Sequence, residues 1–246
     1  MPDRFLSKAR LLLHKLPSMI PSSCALCGIE DDKLLCTLCE QRFFAHHPSR
    51  CHQCGIALNA TDAALPCASC LQDQPDFDFT IVATDYVAPV DHLILALKFG
   101  HRLAIAPLLA RLLHDAIVRQ SLPSLPDILL PVPLSPQRLA ERGFNQALEI
   151  ARPLSRATGI PLDAHVLERA RDTAMQAQLP LKERHSNMRH AFVPTTRGET
   201  AIFNRHVGIV DDVSTSGATL NEIAGTLKRY GATRVTNLVV ARTPAQ

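Results

Sequence analysis

Beyond residue 76 the chain alternates between two hydrophobic rhythms. Short, β-branched or apolar runs are separated by longer stretches whose apolar positions recur every three or four residues, the periods of buried strands and amphipathic helices. Thr80-Ile81-Val82-Ala83 predicts a strand, and residues 93–98 and 103–119 predict helices. Residues 127–132 read as a buried strand ending in proline, and 145–157 as an amphipathic helix. Residues 206–210 predict a strand, 220–230 a helix and 234–241 a final strand. Strands alternating with helices predict an α/β domain built on a parallel sheet, which binds ligands at the carboxyl ends of its strands.

Before residue 76 the rhythm is absent. All eight cysteines lie there, in four Cys-x-x-Cys pairs: Cys24/Cys27, Cys36/Cys39, Cys51/Cys54 and Cys67/Cys70. The composition shift near Gln72-Asp73-Gln74-Pro75-Asp76 divides the chain into an N-terminal helix with a double zinc-ribbon module, 1–75, and an α/β domain, 76–246. Two thiolates three positions apart can face one tetrahedral ion, so two pairs complete a closed four-cysteine shell. Gly28 and Gly55 follow two of the pairs and suit a knuckle with positive φ. We read two structural zinc ions in tandem ribbons, with the metal replacing a core in a segment poor in large apolar residues. Spacing alone also admits cross-braced ligation, first pair with third. Disulfides need an oxidising compartment, and a redox Cys-x-x-Cys usually occurs once, at a helix start. His46-His47 lie between the pairs and read as surface residues.

Charge narrows the picture little. A net charge of +3 neither demands nor forbids nucleic acid. Aromatic residues make up only 4 % of the chain, with no Trp, so stacking platforms are scarce; Phe43-Phe44 and Phe77/Phe79 are the clustered candidates. No apolar run reaches membrane-spanning length. Residues 4–16 mix charge into an amphipathic helix that suits packing on the zinc module, with a membrane surface as the alternative, and lack the unbroken apolar region of a secretion signal. With reduced cysteines, this points to the cytoplasm.

The richest chemistry lies at His206-Val207-Gly208-Ile209-Val210-Asp211-Asp212-Val213-Ser214-Thr215-Ser216-Gly217-Ala218-Thr219. A buried strand runs into two aspartates, then into a hydroxyl-rich loop that starts a helix. Backbone N–H groups at the helix start and the hydroxyls of Ser214, Thr215, Ser216 and Thr219 form an anion cup for a phosphate monoester. Gly217 permits close backbone approach. Two carboxylates repel phosphate, but they accept hydrogen bonds from vicinal ribose hydroxyls. No Gly-Lys-[Ser/Thr] is present, which excludes a Walker loop.

Residues 206–219 resemble the phosphoribosyl-pyrophosphate (PRPP) signature of type I phosphoribosyltransferases. Almost the whole chain resembles the ComF/GntX family, in which zinc ribbons precede such a domain. The resemblance extends through Leu97-Lys98-Phe99-Gly100 and through Pro131-Val132-Pro133-Leu134 with Arg138 and Arg142-Gly143-Phe144-Asn145-Gln146. It continues through Arg169, Arg171, Thr173, Gln176, Leu179, Arg184, Asn187 and Ala191-Phe192. The Arg-Gly-Phe-Asn-Gln block is its most family-specific part.

The resemblance implies a type I phosphoribosyltransferase-like sheet. It places Asp211 and Asp212 on the ribose, residues Ser214 to Thr219, Ala218 included, on the 5′-phosphate, and the pyrophosphate at the end of strand 127–132. Pro131 and Pro133 have no N–H to offer there, so Arg138, Arg142 or Mg²⁺ brought with PRPP must meet the charge. Residues 169–189 would close over PRPP. An active domain would be a glycosyltransferase that transfers a phosphoribosyl group, with Asp211, Asp212 and Arg142 at the reacting centre and most of the catalysis electrostatic. The acceptor is unreadable, because no general base stands out; His101 in its basic loop reads as incidental. A non-catalytic PRPP sensor is the competing class, and nucleobase salvage leaves the zinc module unexplained. The resemblance also implies DNA uptake and natural transformation, with single-stranded DNA and DNA-uptake proteins as partners.

Overall fold

The computed structural model describes residues 22–58, 66–120, 124–169 and 191–244. The expected helix at 4–16 and positions 170–189 of the expected closing segment lie outside the described residues. The chain divides into two compact units, Met1–His47 and Pro48–Gln246.

In the first unit, β1 (Ser22–Ser23) pairs antiparallel with β2 (Glu30–Asp31), and α1 spans Thr37–Phe44. Residue 28 takes φ 75°, the left-handed turn that the sequence assigned to its glycine.

The second unit opens with a matching turn, Gly55 at φ 74°, and α2 (Ala68–Asp73). The sheet follows. It comprises β3 (Phe79–Asp85), β4 (Ile128–Pro131), β7 (His206–Ser214) and β8 (Arg234–Arg242), in the order β3-β8-β7-β4 and all parallel. Between them run α3 (Val90–Lys98), α4 (Ile105–Gln120), α5 (Pro136–Arg142) and α6 (Gln146–Thr158). A short antiparallel pair, β5 (Leu167–Arg169) and β6 (Phe192–Pro194), precedes α7 (Thr196–Ile202), and α8 (Ala218–Arg229) joins β7 to β8.

Each expected strand and helix of this region is present. The periodicity explains why: α4 buries Ile105, Leu108, Leu109, Leu112, Leu113, Ala116 and Ile117, one stripe of a 3.6-residue helix. That stripe packs on β3 and α6. The opposite face of the sheet carries a core of Ile128, Leu130, Val207, Ile209, Val235 and Val239 against Leu220, Ile223, Ala224 and Leu227 of α8. One strand is longer than its apolar run. β7 continues through both aspartates to Ser214 because β8 runs beside it, pairing Asp211 with Val239 and Ser214 with Arg242. Tertiary pairing overrides the weak strand preference of aspartate.

The second cysteine segment is bonded to this sheet. Thr80 N donates to the His52 carbonyl at 2.8 Å, and Thr80 Oγ1 donates to the Gln53 carbonyl. Arg50 reaches the Gly55 carbonyl at 3.1 Å and Asp85 at 2.9 Å.

Candidate functional site

The cysteines gather as sequence neighbours, not cross-braced. Cys24, Cys27, Cys36 and Cys39 form one cluster and Cys51, Cys54, Cys67 and Cys70 the other, each with its sulfurs within 4.8 Å of one another. All eight are free thiols. Sulfur separations of 3.7 Å (Cys27–Cys36), 3.6 Å (Cys54–Cys67) and 3.9 Å (Cys51–Cys70) are far beyond a disulfide bond. They match the edge of about 3.8 Å that follows from metal–sulfur bonds of roughly 2.3 Å in a tetrahedron. Both clusters therefore fit a closed structural site of the zinc type.

Their local construction is the same. In the first, Gly28 N donates to the Cys24 carbonyl at 2.9 Å and Cys36 N to Cys24 Sγ at 3.4 Å. In the second, Gly55 N donates to the Cys51 carbonyl at 2.8 Å and Cys67 N to Cys51 Sγ at 3.3 Å. Burial raises the Cys24 pKa, but amide donors from Cys36, Cys27 and Leu26 outweigh it and bring the thiol down to about 6. Burial likewise opposes the donors from Cys54, Cys67 and Gln53 that bring Cys51 down to about 7. Burial pushes Cys39 up to about 12 and Cys54 up to about 11. Each cluster thus has one thiolate favoured by backbone donors and others whose ionisation calls for a cation.

At the carboxyl end of β7 an open recess of about 250 Å³ is lined by Asp211, Val213, Ser214, Thr215, Gly217, Ala218, Thr219 and Leu220. Gly217 sits at φ 81° as the N-cap of α8, and Ala218 N donates to Ser216 Oγ at 3.4 Å. Every expected cup residue except Ser216 lines the recess, and Ser216 accepts from Ala218 N of that loop.

The two aspartates part company. Asp211 faces the recess. Asp212, 2 % exposed, meets Lys98 Nζ at 2.6 Å from the other side of the strand. Asp212 N donates to Asp211 Oδ1 at 2.9 Å. Burial, then the neighbouring Asp212 charge, raises the Asp211 pKa well above its usual value.

Arg142 ends α5 close enough to Asp212 to feel its charge; burial lowers its pKa, Asp212 opposes that, and Arg138 adds to it. Its Nη1 donates to Gln146 Oε1 at 2.9 Å, and its guanidinium lies over the Phe99 ring at 5.1 Å. Phe99 is 64 % exposed. Phe144 meets His101 edge-on at 5.9 Å. Asn145 caps α6, accepting from Ala147 N and Leu148 N, and donates to the Val132 carbonyl at 3.0 Å, which ties the exit of β4 to the helix. Arg138 stands half-buried in the first turn of α5. Of the stacking candidates, Phe44 and Phe77 are buried.

Two cations were not singled out by their own chemistry in the sequence. Lys98 is a lone lysine closing an amphipathic helix, and Arg242 is the last residue of a β-run. Neither has a spacing that distinguishes it from a surface charge.

No family model matches the chain. Curated relatives do. The DNA utilization protein YhgH of Escherichia coli K12 is 37 % identical over 230 residues, 91 % of this chain and 98 % of that protein. Its Salmonella typhimurium counterpart is 36 % identical over the same shares. Competence protein F of Haemophilus influenzae is 34 % identical over 205 residues, 82 % of this chain and 87 % of its own. Among solved structures, a Bacillus subtilis glutamine PRPP amidotransferase complexed with ADP and GMP covers 54 % of this chain at 22 % identity and a TM-score of 0.35; the chain spans only 25 % of that enzyme. A purine phosphoribosyltransferase of Pyrococcus horikoshii covers 66 % of this chain and 77 % of its own at 19 % identity and a TM-score of 0.32.

Proposed function

Because this chain belongs to the family of the DNA utilization protein YhgH and Competence protein F, we propose that it is a PRPP-binding protein that serves DNA uptake and natural transformation. The observation that carries the reading is the recess at the start of α8, where Asp211 meets a hydroxyl-bearing loop. Ser214, Thr215, Ser216, Gly217, Ala218 and Thr219 would hold the 5′-phosphate. Asp211 would hold the ribose, while Asp212, expected beside it, is paired with Lys98 on the other side of the strand; Arg138 and Arg142 would hold the pyrophosphate that enters with Mg²⁺. Zinc in both clusters would be structural, since a four-sulfur shell leaves no open position. The functional division is a metal-binding region, 1–75, and a ligand-binding region, 76–246, of a cytoplasmic protein.

The test is calorimetric titration of the zinc-replete protein with PRPP and Mg²⁺. We expect saturable binding that the Asp211→Asn/Asp212→Asn double variant loses, because charge-assisted bonds to the ribose hydroxyls are weakened. Unchanged affinity in the double variant would remove the aspartates from the sugar site. Pyrophosphate release during the titration would make the protein an active phosphoribosyltransferase; binding without release would make it a sensor.

The second component of the reading is single-stranded DNA. Phe99 lies exposed beneath Arg142, an aromatic face joined to a cation, which suits base stacking beside a phosphate contact. On this reading DNA would take a surface of its own, apart from the recess. Fluorescence anisotropy with a labelled oligonucleotide should show single strands preferred to duplex and a steep loss with salt. Absence of binding at low salt returns the protein to a small-molecule role.

A further inference from the structure

Arg242, the last residue of β8, is 6 % exposed. Its Nε donates to the Cys54 carbonyl at 3.2 Å and its Nη1 to the Ser214 carbonyl at 3.1 Å. One guanidinium thus spans the knuckle of the second cysteine cluster and the first residue of the hydroxyl loop. Thr243 N closes on the same Ser214 carbonyl at 3.0 Å. Among the described residues no carboxylate lies within ion-pair distance of Arg242.

A divalent cation in a four-thiolate shell leaves a net dianion. A buried guanidinium beside that shell is compensated while the metal is bound. When the metal leaves, the knuckle is no longer fixed, and the Cys54 carbonyl, one of the guanidinium's two anchors, is free to move. Movement of that anchor shifts the guanidinium and loosens its bond to the Ser214 carbonyl.

We propose that Arg242 couples metal occupancy of the Cys51/Cys54/Cys67/Cys70 cluster to the shape of the phosphate recess. Metal binding holds the guanidinium in place and keeps the Ser214 carbonyl turned away from the ligand. Metal loss releases the loop. The coupling is reciprocal, so an anion in the recess slows metal release. Arg242 is a positioning residue: it acts through Ser214 and touches no ligand. The PRPP reading enters only as the identity of the anion.

The test compares full-length wild type, Arg242→Lys and Arg242→Met, each zinc-loaded and chelator-stripped. Amide hydrogen exchange at residues 214–219, zinc release to a chromogenic chelator and PRPP affinity are measured. Stripping the wild type should accelerate exchange at 214–219 by about 5-fold or more, the lower end of allosteric coupling. Zinc-loaded Arg242→Met should already show the fast exchange, respond little to stripping, release zinc faster and bind PRPP about 10-fold more weakly. Arg242→Lys keeps the charge but not the two-point fork. It should hold zinc nearly as wild type does while its recess exchanges fast, and it decides the matter if Arg242→Met does not fold. Recess exchange in the wild type that ignores stripping, or an Arg242→Met protein that responds to stripping as fully as wild type, overturns the coupling. If the wild type binds no PRPP, the functional reading fails, while the exchange and zinc measurements still decide the coupling.

Discussion

A strand turns successive side chains to opposite faces, and β7 applies that rule to its two aspartates. Val207 and Ile209 face α8, so Asp211 faces α8 and the recess; Asp212 falls on the other side, where Lys98 meets it. Asp211 carries an electrostatic cost to the fold. Its folded pKa is raised above the reference value of 3.8, first by burial and then by Asp212. A raised pKa contributes stability that is present below 3.8 and is lost as pH climbs through the folded value. Asp211→Asn should therefore raise the melting temperature of the ligand-free protein near neutral pH by about 2–4 °C per kcal/mol relieved. The gain should shrink as the buffer is taken toward pH 4, roughly the reference carboxylate value. The same variant should bind PRPP about 10-fold or more weakly, the loss of one hydrogen bond to a charged group. Thermal scans across pH beside calorimetry check both halves, and a variant that melts lower at neutral pH removes the strain from Asp211. The hydroxyl loop was legible in the sequence because so many small polar residues after an apolar strand have few other uses. Lys98 was not, since nothing local distinguishes it from a surface lysine until the fold brings Asp212 to it.

At the scale of elements, legibility followed length. β3, β7, β8, α4, α6 and α8 are long enough for a period to show, and each lies where the pattern placed it. The two-residue strands β1 and β2, the three-residue strands β5 and β6, and the short helices α5 and α7 carry no period. Long-range bonds and caps define them instead. The corner between α5 and α6 shows how. Gly143 ends α5 at φ 74°, Asn145 starts α6, and Asn145 also fastens the Val132 carbonyl. The Arg-Gly-Phe-Asn-Gln block thus builds a helix–helix corner that sets Arg142 beside Asp212. Asn145→Ala should remove the cap and one tertiary hydrogen bond and cost about 1–2 kcal/mol of stability. If Arg142 meets pyrophosphate, the same change should weaken PRPP binding without touching the ligand. Denaturant unfolding and titration measure the two effects, and full stability in the variant would mean that the corner holds without its cap.

At the scale of the molecule, the cysteine spacing foretold two four-cysteine shells, but left their pairing order open and gave no sign of where the second shell docks. Four Cys-x-x-Cys pairs specify local geometry, whereas the bonds from Thr80 to His52 and Gln53 join residues far apart in the chain. Those bonds have a consequence for solubility. An open parallel sheet ends in two unpaired borders, each a template on which another chain can add a strand. Here both are occupied. On the β4 side, Leu129 N donates to the Pro161 carbonyl and Asp163 N to the Leu129 carbonyl, at 2.8 and 3.1 Å. On the β3 side the cover is the cysteine knuckle around His52. The zinc of the second cluster would therefore also guard a border against self-association. Stripped of metal, the protein should show rising light scattering at concentrations where the loaded form stays clear, and restoring zinc before aggregates form should suppress the rise. A stripped protein that remains monodisperse would show that the knuckle keeps its place on β3 without an ion.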